Sequence, residues 1–154
     1  MTLLITGATG NIGGEVVNLL VGQKWPLRAL VLDRHRAAKL ESQGVELEQG
    51  DFSQPETLDA AVQGIDRAFL VMPNHPDQVE LESNFIDAAQ KAGVQQVVKL
   101  SVMGAGELPS TFQQWHRQIE AHLEASGMAW THLRPNMLMQ SKRWFAQTRE
   151  QSGA

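Results

Sequence analysis

Short apolar runs along this chain alternate with stretches whose apolar residues recur every three to four positions. Leu3-Leu4-Ile5 reads as a short buried strand, and residues 15–21 read as a helix with Val16, Val17, Leu19 and Leu20 on its apolar side. Pro26 leads into a second strand at 27–32, and a short helix over 36–43 closes at Gly44. Val45-Glu46-Leu47-Glu48 alternates as an edge strand does. Ser53 is placed to cap a helix that opens at Pro55 and ends by Gly64. Strands then follow at 67–72, 94–101 and 128–133, separated by helices at 77–92 and 112–125, with a last helix at 141–150. Strands that alternate with helices pair in parallel through right-handed crossovers. Runs such as Ala29-Leu30-Val31-Leu32 and Val97-Val98-Lys99-Leu100 suit strands covered on both faces. The expected fold is α/β: an open, doubly wound parallel sheet of six strands in the order 3-2-1-4-5-6.

Composition narrows the function. The 154 residues suit one domain with a real core, and 42% are hydrophobic. The net charge of −4 argues against a nucleic-acid binder, which needs a basic face. There is no cysteine, which removes disulfides, thiolate nucleophiles and cysteine metal sites and fits a cytoplasmic protein. No targeting segment or membrane-length apolar run is visible.

The sharpest local signal is Thr6-Gly7-Ala8-Thr9-Gly10-Asn11-Ile12-Gly13, between a strand and a helix. Gly7 suits the tight turn, Gly10 lets the backbone approach a pyrophosphate, and Gly13 lets the helix pack close. The helix N-terminus then offers unpaired amides and a positive dipole end. A glycine triplet alone is also compatible with a plain glycine-rich turn, but the strand–loop–helix setting favours the dinucleotide reading. Asp33, 20 residues beyond Gly13, falls where an acid can bind the adenosine ribose.

The wider sequence resembles the NmrA-like branch of the atypical short-chain dehydrogenase/reductases. The resemblance rests on this loop, on GVELEQGDF at 44–52, FLVMP at 69–73, DAAQKAGVQQVVKLS at 87–101, HRQIEAHLEASG at 116–127 and THLRPN at 131–136. It implies an NAD(P)-binding Rossmann domain over 1–154, with NADP or NAD as cofactor and a small aromatic or quinone-like acceptor. It implies that Asp51 and Phe52 flank the adenine, and that Met72 and Pro73 run along the ribose and pyrophosphate. It places Ser101 where the nicotinamide lies, His116 at the position of the family's catalytic lysine, and Pro135 and Asn136 at the border of the nicotinamide pocket. Relatives continue into a smaller substrate lobe that this sequence lacks, so a C-terminally truncated form is expected, with Met137, Leu138, Met139, Trp144 and Phe145 short of cover. No nucleic-acid or membrane partner is expected, and a homodimer is left open.

Two departures from the family matter. Many NADP-preferring relatives carry an arginine where Leu32 stands. Here Arg34 and Arg36 follow instead; either could fork onto a 2′-phosphate, while Asp33 would repel one. The usual Tyr-x-x-x-Lys pair is replaced by Phe112-Gln113-Gln114-Trp115-His116, and the chain has no tyrosine at all. The alcohol–ketone mechanism that uses a tyrosine acid is therefore excluded by composition.

Each candidate has a plainer alternative. His116 is either a catalytic or ribose-binding group or a solvated helix histidine paired with Glu120. Ser101 either bonds a substrate carbonyl or satisfies backbone at a strand end. Lys99 is expected at a sheet edge or snorkelling. Glu46 and Glu48 read as a solvated strand face, and Trp115, Trp130 and Trp144 as packing residues. Arg34, His35 and Arg36 form a local cluster suited to an anion. His116, Glu120 and His122 do not share a face, so no metal site is expected. Two functions fit: an oxidoreductase that passes hydride from NAD(P)H to a quinone- or flavin-like acceptor, or a non-catalytic NAD(P) redox sensor acting through a protein partner.

Overall fold

The computed structural model describes residues 1–136 and 138. The expected helix at 141–150, and Met137, Met139, Trp144 and Phe145, lie outside the described residues. The six strands are β1 (Leu3–Ile5), β2 (Leu27–Val31), β3 (Glu46–Gln49), β4 (Arg67–Leu70), β5 (Gln96–Leu100) and β6 (Ala129–Leu133). They form one parallel sheet in the order β3-β2-β1-β4-β5-β6, as the pattern predicts. The helices are α1 (Asn11–Gly22), α2 (Ala38–Ser42), α3 (Pro55–Val62), α4 (Gln78–Lys91) and α5 (Thr111–Ala125).

The sheet carries a core on each face. Val17 of α1 and Leu40 of α2 pack with Ile5, Ala29, Val31, Leu47 and Phe69 on one side. Leu58, Phe85, Ile86, Ile119 and Leu123 of α3, α4 and α5 pack with Leu4, Leu30, Ala68, Leu70 and Val97 on the other. Neighbouring side chains of a strand thus enter opposite cores, as the two-residue strand period requires. Every strand ends on the same edge, so the loops after β1 to β6 converge there.

Several boundaries differ from the sequence reading. Helix α1 begins at Asn11, not residue 15, because the loop turns into the helix immediately and Ile12, Val16 and Leu20 pack against the core below α1. Helix α2 begins at Ala38, after a turn in which Ala37 N donates to Arg34 O at 3.1 Å. Helix α3 does open at Pro55, but Gln54 occupies the capping position and makes no side-chain cap. Ser53 is drawn away: its backbone N and its Oγ both donate to Asp51 Oδ1 at 2.8 Å. Lys99 is neither at an edge nor snorkelling. Strand β5 lies between β4 and β6, and Lys99 is fully buried. Trp130 is not a packing residue of the core: it is 47% exposed on edge strand β6, stacked on His132. Nor is cover complete on both faces, since Leu32 just beyond β2 is 70% exposed and Leu133 of β6 is 43% exposed.

Candidate functional site

The glycine loop is built for close approach. Gly7 takes a φ of +58°, and a Cβ there would fall 2.8 Å from Val71 O. A Cβ on Gly13 would fall 2.3 Å from Gly7 O, so α1 can seat on the turn only because residue 13 lacks a side chain. Gly10 is different. A Cβ there meets only Gly7 O, at 3.2 Å, and its other surroundings are open. Thr6 staples this loop to the next strand: its Oγ1 accepts from Val71 N at 2.8 Å and donates to Val71 O at 2.7 Å. Among the described residues no side chain caps α1, so the first-turn amides at Asn11, Ile12 and Gly13 have no side-chain acceptor. That cradle fits a pyrophosphate, with Ala8 buried beneath it and Thr9 exposed at its rim.

The other expected cofactor residues lie along the same carboxyl edge. Asp33 follows β2 and is exposed; its Oδ1 accepts from His35 N at 2.8 Å. Arg34 is exposed and 3.5 Å from Glu41, a loose surface pair, and Arg36 is exposed. After β3, Asp51 N donates to Thr57 Oγ1 at 2.9 Å, and Phe52 packs on Phe85 with ring centroids 5.3 Å apart. Asn84 Nδ2 holds Phe52 O at 2.9 Å, fixing this corner. Met72, half-buried, and Pro73, exposed, follow β4. Pro135 O accepts from Met103 N at 2.9 Å, tying the loop after β6 to the loop after β5; Asn136 is exposed beside it.

The expected catalytic pair sits in a buried polar network. His116 of α5 is 5% exposed, not solvated, and its ring makes a T-shaped contact with Phe112 at a centroid distance of 4.7 Å. Its Nδ1 is buried with no hydrogen-bond partner among the described residues. Burial, reinforced by the Lys99 charge and opposed by Glu120, lowers its pKa to about 4. His116 is neutral at pH 7 and is a poor proton donor.

The Ser101 side chain does not satisfy strand-end backbone; it turns to a carboxylate. Its hydroxyl donates to Glu120 Oε1 at 2.6 Å, and its backbone N donates to Leu133 O at 2.7 Å. Glu120 is fully buried and receives Arg134 Nε at 2.9 Å, Arg134 Nη2 at 2.6 Å and Arg117 Nη1 at 3.1 Å. Burial pushes the Glu120 pKa up, but hydrogen bonds from Arg134, Ser101 and Arg117 outweigh it and hold the group at about 2. Arg117 also grips Glu124 at 2.8 Å through both terminal nitrogens, and Glu124 meets His132 Nε2 at 3.2 Å. Burial lowers the His132 pKa, against the pull of both glutamates. Glu120, Glu124 and His132 bring their ligand atoms within 4.8 Å of one another, but two guanidiniums already occupy the carboxylates a cation would need.

Behind this lies a second buried chain. Lys99 Nζ donates to Glu82 Oε2 at 2.5 Å and Gln78 Nε2 donates to Glu82 Oε1 at 2.6 Å, all three side chains being essentially inaccessible. Sequence reasoning missed Gln78, Glu82, Arg117 and Arg134.

These shifts predict acid sensitivity. The folded His116 pKa lies below its unfolded value, so the unfolded chain binds more protons between about pH 6.5 and 4, and stability should fall as pH falls through that window, by roughly 3 kcal/mol from this group. His132 adds loss of the same sign, and Glu120 extends it from about pH 4.5 towards 2. Thermal melts across pH should show this slope, and His116→Gln should flatten it. A wild-type melting temperature constant from pH 7 to 4 would contradict it.

Comparison with known proteins agrees with this geometry. Residues 7–152 match the family described as NAD(P)H-binding, and the chain belongs to it, with NAD(P) as cofactor. The chain is 40% identical over 152 residues to an NAD(P)H azoreductase of Xenophilus azovorans, covering 98% of this chain and 53% of that protein. It is 30% identical over 135 residues to quinone oxidoreductase 2 of Escherichia coli, covering 86% of this chain and 47% of that one. A crystal structure of Citrobacter sp. triphenylmethane reductase with NADP(H) superposes with a TM-score of 0.85 at 27% identity, covering 92% of this chain and 52% of that one. The chain thus spans about half the length of the curated relatives it matches. Among the described residues no helix is long and apolar enough to cross a membrane.

Proposed function

We propose that residues 1–154 form the NAD(P)-binding Rossmann domain of a reductase that delivers hydride to a quinone- or azo-type acceptor without a Tyr-Lys pair. The observation that carries this reading is the cradle over Gly10, open above an uncapped helix N-terminus. Bound there, NAD(P)H supplies the hydride. Gly7, Gly10, Gly13 and the amides of Asn11 and Ile12 hold the pyrophosphate; Asp33 and Arg34 or Arg36 meet the adenosine ribose and any 2′-phosphate; Asp51 and Phe52 border the adenine. Met72, Pro73, Pro135 and Asn136 line the path to the nicotinamide.

The chemistry follows from what the described residues of this edge offer. Phe112 has no proton to give, Ser101 has committed its proton to Glu120, and His116 is neutral. An acceptor reduced here takes its proton from water, which suits quinones and azo dyes better than ketones. The chain acts by orientation rather than acid catalysis. The same lack of a donor also suits a sensor that reads NAD(P)H and signals through a partner.

Steady-state NADPH oxidation with a panel of quinones and azo dyes separates the two. The reductase reading predicts acceptor-dependent turnover with a pH profile flat from about pH 5.5 to 8.5, since none of Phe112, Ser101 and His116 supplies a proton in that range. A profile that falls with a single pKa near 6.5 would place a proton donor in the site and contradict the mechanism. Tight cofactor binding with no turnover on any acceptor would favour the sensor.

A further inference from the structure

Ser101 directly follows strand β5, at the edge where the cofactor reading places the nicotinamide, and its hydroxyl is under unusual constraint. A hydroxyl has one proton and two lone pairs. Glu120 faces two guanidiniums and the Ser101 hydroxyl inside the fold, so it stays ionised and can only accept. The single Ser101 proton therefore points at Glu120. The Ser101 main chain is pinned by its bond to Leu133 O, and Arg117 is braced in turn by Glu124. Among the described residues no donor reaches the Ser101 oxygen. What remains there, on a residue that is 5% exposed, is an oxygen made more electron-rich by its bond to a carboxylate and able only to accept.

We propose that Glu120 is a positioning residue which, gripped by Arg117 and Arg134, turns Ser101 into an obligate acceptor for the carboxamide N–H of the nicotinamide. This rests on the cofactor reading above and goes beyond it: it names a recognition contact and the three residues that set its polarity. It also explains why a hydroxyl at a strand end should be held by a buried ion cluster. A serine free to rotate would satisfy a carbonyl or an amide equally, whereas a serine locked by Glu120 selects the amide end.

The test uses a cofactor analogue that removes the donor alone. In the 3-acetylpyridine analogue of NADP⁺ a methyl group replaces the amide NH₂ and the carbonyl is kept. Titrating the chain with NADP⁺ and with this analogue gives a ratio of dissociation constants for the wild type, for Ser101→Ala and for Glu120→Gln. The proposal predicts that the wild type favours NADP⁺ by a margin about two- to tenfold larger than Ser101→Ala does, the range expected for one hydrogen bond. Glu120→Gln should lose the same margin, because its amide can donate to Ser101 and release the hydroxyl proton. A merely structural role would weaken both ligands alike and leave the ratio unchanged. Ser101→Ala deletes one oxygen and keeps Glu120 with both arginines, so it remains informative if Glu120→Gln fails to fold. An unchanged ratio in a folded Ser101→Ala protein overturns the proposal while leaving the cofactor reading intact. A wild type that binds neither dinucleotide overturns both.

Discussion

Replacing Lys99 with methionine should cost about 3–5 kcal/mol of folding stability, the largest loss expected from any single change away from the glycine loop. Methionine fills most of the same volume, so lost packing is not the cause. The loss comes from Glu82, which is 1% exposed and would keep its carboxylate inside the fold with Gln78 as its one remaining donor among the described residues. Burying an unpaired charge costs far more than burying a pair, because no Coulombic attraction offsets the lost hydration. The pair itself is expected to contribute little net stability. The double variant Lys99→Met/Glu82→Gln should therefore recover most of the loss, with the new amide oxygen still accepting from Gln78. Denaturant unfolding of the wild type, the single and the double variant measures this directly. A single variant within about 1 kcal/mol of wild type, or a double variant no better than the single, would show that the ion pair is not the source of the effect.

This pair also shows how far the sequence could be read. The strand order followed from apolar runs and helical periods, because each strand's two faces and each helix's one stripe must be covered. Gly7 and Gly13 were legible because backbone geometry limits those positions to glycine in a strand–loop–helix setting, and Gly10 because a pyrophosphate must approach its backbone. The buried charges were not, since a lone Lys or Glu is ordinarily solvated. The signal that could have found them was position within a stripe. Glu82 falls in register with Phe85, Ile86 and Ala89, and Lys99 falls between Val97 and Ser101 on a covered strand face. Two charges of opposite sign on faces that must be buried imply each other. His116 and Glu120 likewise fall in register with Ile119 and Leu123 on α5. Arg134 could not be assigned to Glu120 from sequence at all, because the contact depends on how the end of β6 meets α5.

Ser101 illustrates a different limit. Its place at the end of β5 was readable, and so was its suitability for a ligand. The direction of its proton was not, because that depends on a carboxylate 19 residues away on another element. The polarity of the site, donor or acceptor, appears only once Glu120 and its two arginines are seen together. The difference matters to function. A free serine hydroxyl would have offered the acceptor a proton, and the hydroxyl as found does not.

The second large effect is expected at Gly10. Valine there should be tolerated by the fold, for the backbone has an ordinary extended conformation with φ −86° and ψ 177°, and an added Cβ meets only Gly7 O at 3.2 Å. The same change at Gly7 or Gly13 would instead strike backbone at 2.8 or 2.3 Å and test folding, not binding. At Gly10 the new side chain would stand in the open space above the first turn of α1, where a pyrophosphate must approach to reach the free amides. Loss of two or more charge-assisted hydrogen bonds predicts at least about a hundredfold weaker binding. Calorimetric titration of the wild type and Gly10→Val with NADPH, after both are shown to melt cooperatively at similar temperatures, tests the central claim most directly. Saturable one-to-one binding by the wild type is expected, with none measurable at the same concentrations by the folded variant; equal affinity in the two proteins, or no binding by the wild type, would contradict it.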